Sequence, residues 1–398
     1  MKKIYFIFLF ALLTLNLQAQ WILQDSGTGN RFYDIYPITA DTAVVVGVLG
    51  TIVKTTDGGE NWLTINSGTN RDLTQVEFVN DTTGYAVGFE GTLLKSTDAG
   101  STWTALDSGT TEDLYSLSAL NDQVFFISGN NGLLQKTIDG GNSWTVLTTP
   151  SGIFVTDIQF FNEQLGYILM FNYNRGTLYK TSDGGINWSQ VDDLLWAFHF
   201  LNPNTGFVVS DELKKTTDGG ENFVTIFSGE FDIPLCMFAS SENVIWLAEK
   251  NAIIGNDAHI YRGEILNNQD FQWNYTEEPL LLQSICFYNE NTGYGVDASG
   301  GIVKNTSGIL LGTANTALPE HIKLYPNPVH RELRITFGEQ AYSPTSISLV
   351  DQAGKEVLRH SYLQCSEINL NIEHLSKGIY CLNIMTPDNT YTQKVIIN

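Results

Sequence analysis

The sequence predicts an all-β chain, a seven-bladed β-propeller followed by a small immunoglobulin-like β-sandwich. Three observations carry that prediction. The turn motif Lys-Thr-Thr-Asp-Gly-Gly-Glu-Asn-Trp at 54–62 returns at 95–103, 136–144, 180–188 and 215–223. The residues between copies read as short strands broken by Gly, Asn and Asp turns. From residue 318 onward that wording stops and a different strand-and-turn pattern takes over. A period near 40 residues on a fixed turn means stacked copies of one supersecondary unit.

The first 19 residues stand outside that pattern. Lys2 and Lys3 precede an apolar run from Ile4 to Leu15, and Asn16-Leu17-Gln18-Ala19 follows. A basic start, a short apolar run and a small residue at the cut describe a signal peptide over 1–19, cleaved after Ala19. Gln20 rather than Cys would follow the cut, which argues against a lipoprotein. No later apolar run is long enough to cross a membrane as a helix, so the mature chain is expected to have no transmembrane segment.

Residues 20–308 hold the repeats. In one unit, Trp62-Leu-Thr-Ile, residues 73–78, Tyr85-Ala86-Val87 and Thr92-Leu93-Leu94-Lys95 read as four strands, with turns at Ser67-Gly68, Asp81–Gly84 and Gly88–Gly91. Four strands joined by tight turns form an antiparallel meander, which at this period is a propeller blade. The Asp of the motif (Asp57, Asp98, Asp139, Asp183, Asp218) can accept hydrogen bonds from its own turn's N–H groups. The Trp that closes it (Trp62, Trp103, Trp144, Trp188, with Phe223 in the fifth copy) can pack between blades. These residues are expected to be structural.

This block resembles the Asp-box, or BNR, repeat of sialidases, sortilin-type propellers and photosystem II assembly factors. The resemblance implies a propeller and leaves function open, because unrelated activities share the turn. Looser copies extend the count. Tyr261-Arg262-Gly263 with Asp270 and Trp273 is a sixth, and 301–308 a seventh that lacks its Trp. Trp21-Ile-Leu-Gln-Asp-Ser26-Gly27-Thr28 parallels 62–69, so the N-terminal segment is expected to supply the last blade's outer strand. Six or eight blades remain open alternatives, because the sixth copy is degenerate.

Residues 309–317 read as a linker and 318–398 as a separate domain. Its landmarks are Leu324-Tyr-Pro-Asn-Pro328, Asp351-Gln-Ala-Gly-Lys355, Leu375-Ser-Lys-Gly-Ile-Tyr380 and the terminal Lys394-Val-Ile-Ile397. That order resembles the type A C-terminal sorting domain of the type IX secretion system of Bacteroidetes-type Gram-negative bacteria. The resemblance implies an address read by the outer-membrane translocon, and hence a secreted or surface protein after Sec export to the periplasm.

The chain carries 43 acidic against 21 basic residues, a net charge of −22. Such a surface gives no electrostatic reason to bind nucleic acid or an anionic membrane. Of the four cysteines, Cys236 and Cys286 lie in neighbouring blades and Cys365 and Cys381 in the tail. Export permits two disulfides, and buried free thiols are an equal alternative. No metal-ligand spacing occurs, and no cofactor is expected.

The resemblance to sialidases would imply an arginine triad, a tyrosine–glutamate pair and an acid/base aspartate. The propeller holds only Arg31, Arg71, Arg175 and Arg262, and lacks the Phe/Tyr-Arg-Ile-Pro motif. Another glycosidase needs two carboxylates at a set separation. Glu77, Glu90, Asp157, Asp192, Asp193 and Asp211 are available, and the sequence singles out none. His199 and His259 have no spacing partners. The expected function is therefore a non-enzymatic interaction module for an extracellular protein or glycan, with a secreted glycan-active enzyme as the alternative. The expected binding face lies opposite the Asp-boxes, where loops vary from copy to copy: Phe89, Glu90, Tyr173, Arg175, Trp196, Asp211 and the 249–258 insertion. Near the axis, Tyr36, Glu77, Ser118, Gln159, His199, Cys236 and Cys286 are expected at equivalent positions, either as recognition groups or as filler.

Overall fold

A computed structural model describes residues 21–150, 153–172, 175–228, 233–250, 258–265, 271–278, 282–289, 292–305, 322–327, 329–337, 346–350, 356–361, 367–373, 375–385 and 390–397. The signal-peptide reading of 1–19, the linker at 309–317, Tyr173, Asp270 and Cys365 lie outside the described residues. The chain divides into two units, one of them Trp21–Gly308 and the other containing 309–398.

Among its described residues, the first unit forms seven four-stranded antiparallel sheets, the arrangement of a β-propeller. The first sheet runs Phe32–Pro37, Ala43–Gly47, Ile52–Thr55, Leu63–Ile65, each strand paired to the next. The innermost strands of the other six are Leu73–Phe78, Leu114–Ala119, Phe154–Phe160, Ala197–Phe200, Ile233–Ser241 and Leu282–Asn289. Second strands such as Ala43–Gly47 and Gly84–Gly88 are buried along their whole length, because both of their faces pack on neighbouring sheets. Fourth strands such as Leu63–Ile65 stay exposed at the rim.

The seventh sheet is completed from the other end of the chain. Its inner three strands are Leu282–Asn289, Thr292–Asp297 and Ile302–Asn305, and its outer strand is Ile22–Gln24, with Ile22 opposite Lys304 and Gln24 opposite Ile302. Trp21, 3 % exposed, fills the slot between the sixth and seventh sheets, edge-on to Trp246 at 5.6 Å and to Phe287 at 6.0 Å. The ring therefore has no unpaired inner edge at its seam.

The C-terminal unit contains a three-stranded and a four-stranded sheet, the latter in the order Glu356–Ser361, Ser346–Val350, Gly378–Met385, Thr390–Ile397. Alternating residues of both, among them Leu333, Ile335, Ile347, Leu349, Leu370, Leu382 and Ile384, share one apolar core. Tyr325–Pro326 is a cis peptide bond.

Candidate functional site

The Asp-box turns are self-contained. Asp57 Oδ1 accepts from Asn61 N at 2.9 Å and from Thr55 Oγ1 at 2.8 Å, while Asn61 Nδ2 donates to its Oδ2 at 2.8 Å. Gly59 N donates to Thr55 Oγ1 at 2.8 Å, a closure that needs φ of +89° and hence glycine. The same net recurs around Asp98, Asp139, Asp183 and Asp218. The side-chain hydrogen bond from Asn61, followed by the bond from its backbone N–H, holds the Asp57 carboxyl down at about 2, and Asn222 does the same for Asp218. Each turn is pinned to the strand 1–2 turn of its own sheet, by Gly58 N to Asp41 O (2.8 Å), Ala99 N to Thr82 O (2.8 Å) and Gly140 N to Gln123 O (2.9 Å).

The Trp that ends each box wedges between sheets. Trp62 meets Tyr294 of the seventh sheet edge-on at 6.2 Å, and Trp103 lies in the core shared by the first two sheets. Trp144 and Trp188 pack on the next two inter-sheet cores. Replacing Asp57 by Ala is expected to cost about 1 kcal/mol, the worth of a capping-type acceptor, and Trp62→Ala roughly 3–5 kcal/mol. Urea unfolding of both variants checks this. Equal losses for the two would contradict the division of labour.

The opposite face is built from the strand 2–3 loops and the segments between sheets. Val48–Gly50, Phe89–Gly91 and Asn130–Gly132 are tight turns with Leu49, Glu90 and Asn131 at φ of +55°. That left-handed geometry turns Leu49 N onto Asp72 Oδ1 (2.8 Å) and Glu90 N onto Asp113 Oδ1 (2.9 Å). Among the sequence-derived candidates, Phe89 and Glu90 lie in one such turn, and Glu90 pairs with Arg71 at 2.7 Å. Arg175, Trp196 and Asp211 form a second group: Arg175 pairs with Asp211 at 2.7 Å and stands 5.0 Å over the Trp196 ring. Trp196 is half-buried in the fifth and sixth sheets' core. The two groups occupy different sheets, so the candidate residues do not converge on one pocket.

Sequence reasoning missed what lines the centre. Six of the seven inner strands carry a β-bulge near their start, between Phe32 and Asp34, Leu73 and Gln75, Leu114 and Ser116, Val155 and Asp157, Pro234 and Cys236, and Leu282 and Ser284. A bulge inserts one residue and re-aims its side chain. The inserted Tyr33, Thr74, Tyr115 and Thr156 join Phe89 and Phe154 around a pocket of about 420 Å³. The triplets Phe-Tyr-Asp, Leu-Thr-Gln, Leu-Tyr-Ser and Val-Thr-Asp at these points break the alternation of apolar and polar residues, which was the available signal.

Two levels of side chains follow along the bore. The first holds Asp34, Gln75, Ser116, Asp157, Ala197, Cys236 and Ser284. The second holds Tyr36, Glu77, Ser118, Gln159, His199, Phe238 and Cys286, as the pairing registers show. Cys236, expected at the second level, stands at the first, opposite Ala248, and Phe238 takes its place. The two strands carry their bulges at matching points, Leu235 and Gln283, so Leu235-Cys236 is equivalent to Gln283-Ser284, two residues before Ile285-Cys286. Both thiols are free.

The bore side chains stitch the seventh sheet to the first and the first five sheets to one another. Val76 N donates to Asp34 Oδ2 at 2.9 Å and Ser284 Oγ to Asp34 Oδ1 at 2.6 Å. Phe160 N donates to Ser118 Oγ at 2.9 Å, Phe200 N to Gln159 Oε1 at 2.9 Å, and Ala119 N to Glu77 Oε2 at 3.3 Å. Surrounding protein pushes three carboxyls up: Asp34 to about 6, Asp157 to about 7 and Glu77 to about 8. Burial brings His199 down to about 4, and it lies 4.7 Å from the Phe238 ring. These two rings border a second pocket, of about 330 Å³, at the Asp-box end. Among the described residues no cluster has the ligands for a metal ion, and no helix is long and apolar enough to cross a membrane.

Comparison with known proteins agrees with this geometry. Residues 60–193 match the family of photosynthesis system II assembly factor YCF48, and residues 323–398 match the secretion system C-terminal sorting domain. No curated protein matched the chain. Among solved structures, YCF48 bound to D1 peptide is 18% identical with a TM-score of 0.58, over 72% of this chain and 97% of that one. YCF48 from Cyanidioschyzon merolae is 17% identical with a TM-score of 0.55, over 72% and 98%. An ancestral GH74 enzyme is 12% identical with a TM-score of 0.52, over 94% of this chain and 63% of that one. Likeness at these identities establishes the propeller fold.

Proposed function

We propose that this chain, which joins a YCF48-like propeller to a type IX C-terminal sorting domain, is an exported, non-enzymatic binding module for an extracellular polypeptide. The sorting domain marks it for the cell surface or the medium. The observation that carries the binding role is the pairing of that address with a ring whose face opposite the Asp-boxes carries different side chains, Leu49, Glu90 and Asn131, at equivalent turns of its first three sheets. The similar YCF48 structure holds a peptide, which favours a polypeptide over a glycan. The Asp-box carboxylates are consumed within their own turns, so they support the scaffold rather than chemistry. Residues 1–19 serve as the export signal in this reading, residues 20–308 as the working part, 309–317 as a linker and 318–398 as the address.

A chain ending at Ala317 is expected to fold and to remain in the periplasm of a type IX-competent host. Residues 318–398 fused to a reporter with a signal peptide are expected to bring it to the surface. Protease accessibility on intact cells reads both, and surface display of the shortened chain would overturn the address. The mature protein is expected to release no reducing ends from a panel of plant and host glycans. Release would replace the binding role with a glycosidase.

A further inference from the structure

The pocket of about 420 Å³ is walled by Tyr33, Phe89, Tyr115 and Phe154 with Thr74 and Thr156. Phe89 and Tyr115 meet edge-on at 6.4 Å, and Tyr115 meets Phe154 at 6.3 Å. Phe154 remains 38% exposed at the rim. Behind this apolar wall the bore turns acidic within one residue, because Asp34 follows Tyr33 and Asp157 follows Thr156. Glu77 lies one level deeper, close enough that Asp34 and Asp157 both act on its ionisation. The seven inner strands contain no Lys or Arg, so no inner strand supplies the three carboxylates with a countercharge. At the mouth Arg71 is taken by Glu90, and Arg31 lies over Tyr33 at 4.9 Å. Asp72 and Asp113 add negative charge there, beyond the turn N–H groups that they accept.

We propose that this mouth and the bore behind it receive a long basic side chain, lysine or arginine, presented by the polypeptide partner. The methylene stem packs among Phe89, Tyr115 and Phe154, where rings also favour a cation over their faces. The charged head reaches the carboxylates of Asp34 and Asp157 and supplies the countercharge that the inner strands lack. The inference rests on the proposed binding role and names the chemistry of its partner.

Protonation sets the sign of the pH dependence. A bound cation favours the ionised carboxyls, so affinity rises as pH climbs from about 5 through the range in which they ionise. The other titratable groups facing the bore and its mouth are Tyr33, Tyr36, Tyr115, Cys236, Cys286 and His199. Burial pushes the phenols and both thiols up and His199 down, so all six are neutral across this window. Arg31, Arg71, Asp72, Glu90, Glu112 and Asp113 are the charged groups at the mouth.

The test uses the mature full chain and three probes: fluorescein-labelled Gly-Ser-Lys-Ser-Gly, its Gln counterpart, and cellohexaose as a neutral sugar. Anisotropy at physiological salt is expected to show the Lys peptide bound at least about tenfold more tightly than the Gln peptide. The Phe89→Ser/Phe154→Ser double variant, with an unchanged melting curve, is expected to lose about tenfold. Affinity is expected to rise about tenfold between pH 5 and pH 8.5, and Asp157→Asn to blunt that rise. Equal binding of both peptides would overturn the inference. So would Lys-peptide binding that the double variant does not weaken, which is attraction to the acidic surface in general. Cellohexaose binding that the same variant abolishes would assign the pocket to a sugar. If the Lys peptide fails while variants on this face still lose a partner captured from the cell surface, the binding role stands and only the lysine or arginine assignment falls.

Discussion

Removing residues 21–26 is expected to lower the melting temperature by more than any single substitution in the ring, on the order of 10 °C or more. The deletion takes away three ladder pairs with Ile302–Lys304, the buried Trp21 and the bond from Trp62 Nε1 to Gln24 Oε1 at 3.2 Å. It also exposes the edge of Ile302–Asn305 to pairing with another molecule. Calorimetry should show the drop, and light scattering should show aggregation below the wild-type transition. Trp21→Ala alone should reproduce part of the loss, roughly 3–5 kcal/mol, without the aggregation, because the ladder is intact. An unchanged melting temperature after the deletion would mean that the N-terminal strand contributes nothing to the ring.

The second large effect is a stability maximum at mildly acidic pH. Asp34, Asp157 and Glu77 titrate at about 6, 7 and 8 in the folded ring, above the usual carboxylate range. Between about pH 4 and 8 the folded state keeps protons that the unfolded chain has released. The stability they contribute is therefore full below about pH 4 and is lost as pH rises through these values. Asp57 and Asp218, held at about 2, act in the opposite sense, and their contribution is present above about pH 4 and lost as pH falls toward 2. The melting temperature should fall by on the order of 5–10 °C from pH 5 to pH 8.5. Glu77→Gln keeps an acceptor for Ala119 N and cannot ionise. It should raise the melting temperature at pH 8.5 and flatten the alkaline limb. A flat wild-type profile over this range, or a variant with the wild-type slope, would refute the assignment.

The repeat wording was enough to place the Asp-boxes, the four-strand units and the tail, because glycine and aspartate turns leave a local signature that packing does not alter. Trp21 could be matched to Trp62 for the same reason. The centre was far less legible. Tyr33, Thr74, Tyr115 and Thr156 line one pocket because bulges push each out of register, and although the triplets break the alternation, that break does not say that the four residues meet. The misplacement of Cys236 has a different origin: matching Leu235-Cys236-Met237 to Ile285-Cys286-Phe287 by similarity slips the strand by two residues, and a slip of two keeps every side chain on the same face, so the alternation does not betray it. The protonation of Asp34, Glu77 and Asp157 was invisible as well. It depends first on burial by the sheets packed around the axis, with neighbouring carboxylates a lesser cause for Glu77 and Asp157, and no single repeat encodes that packing. Arg175 and Asp211 could be named individually, but their ion pair links neighbouring sheets and appears only in three dimensions.

The seam at Ile22 and Lys304 also sets a clock. These partners are the first and nearly the last residues of the ring to be synthesised. At about 5–20 residues per second, the outer strand waits roughly 15–60 s for its ladder to exist. Every other sheet can form from residues that follow one another, whereas this pairing closes a loop that spans the whole propeller and carries the largest entropic cost in the fold. Until it closes, the ring is an open arc with a free strand at one end and an unfilled tryptophan slot at the other. The seventh sheet can thus be completed only once its third strand is available.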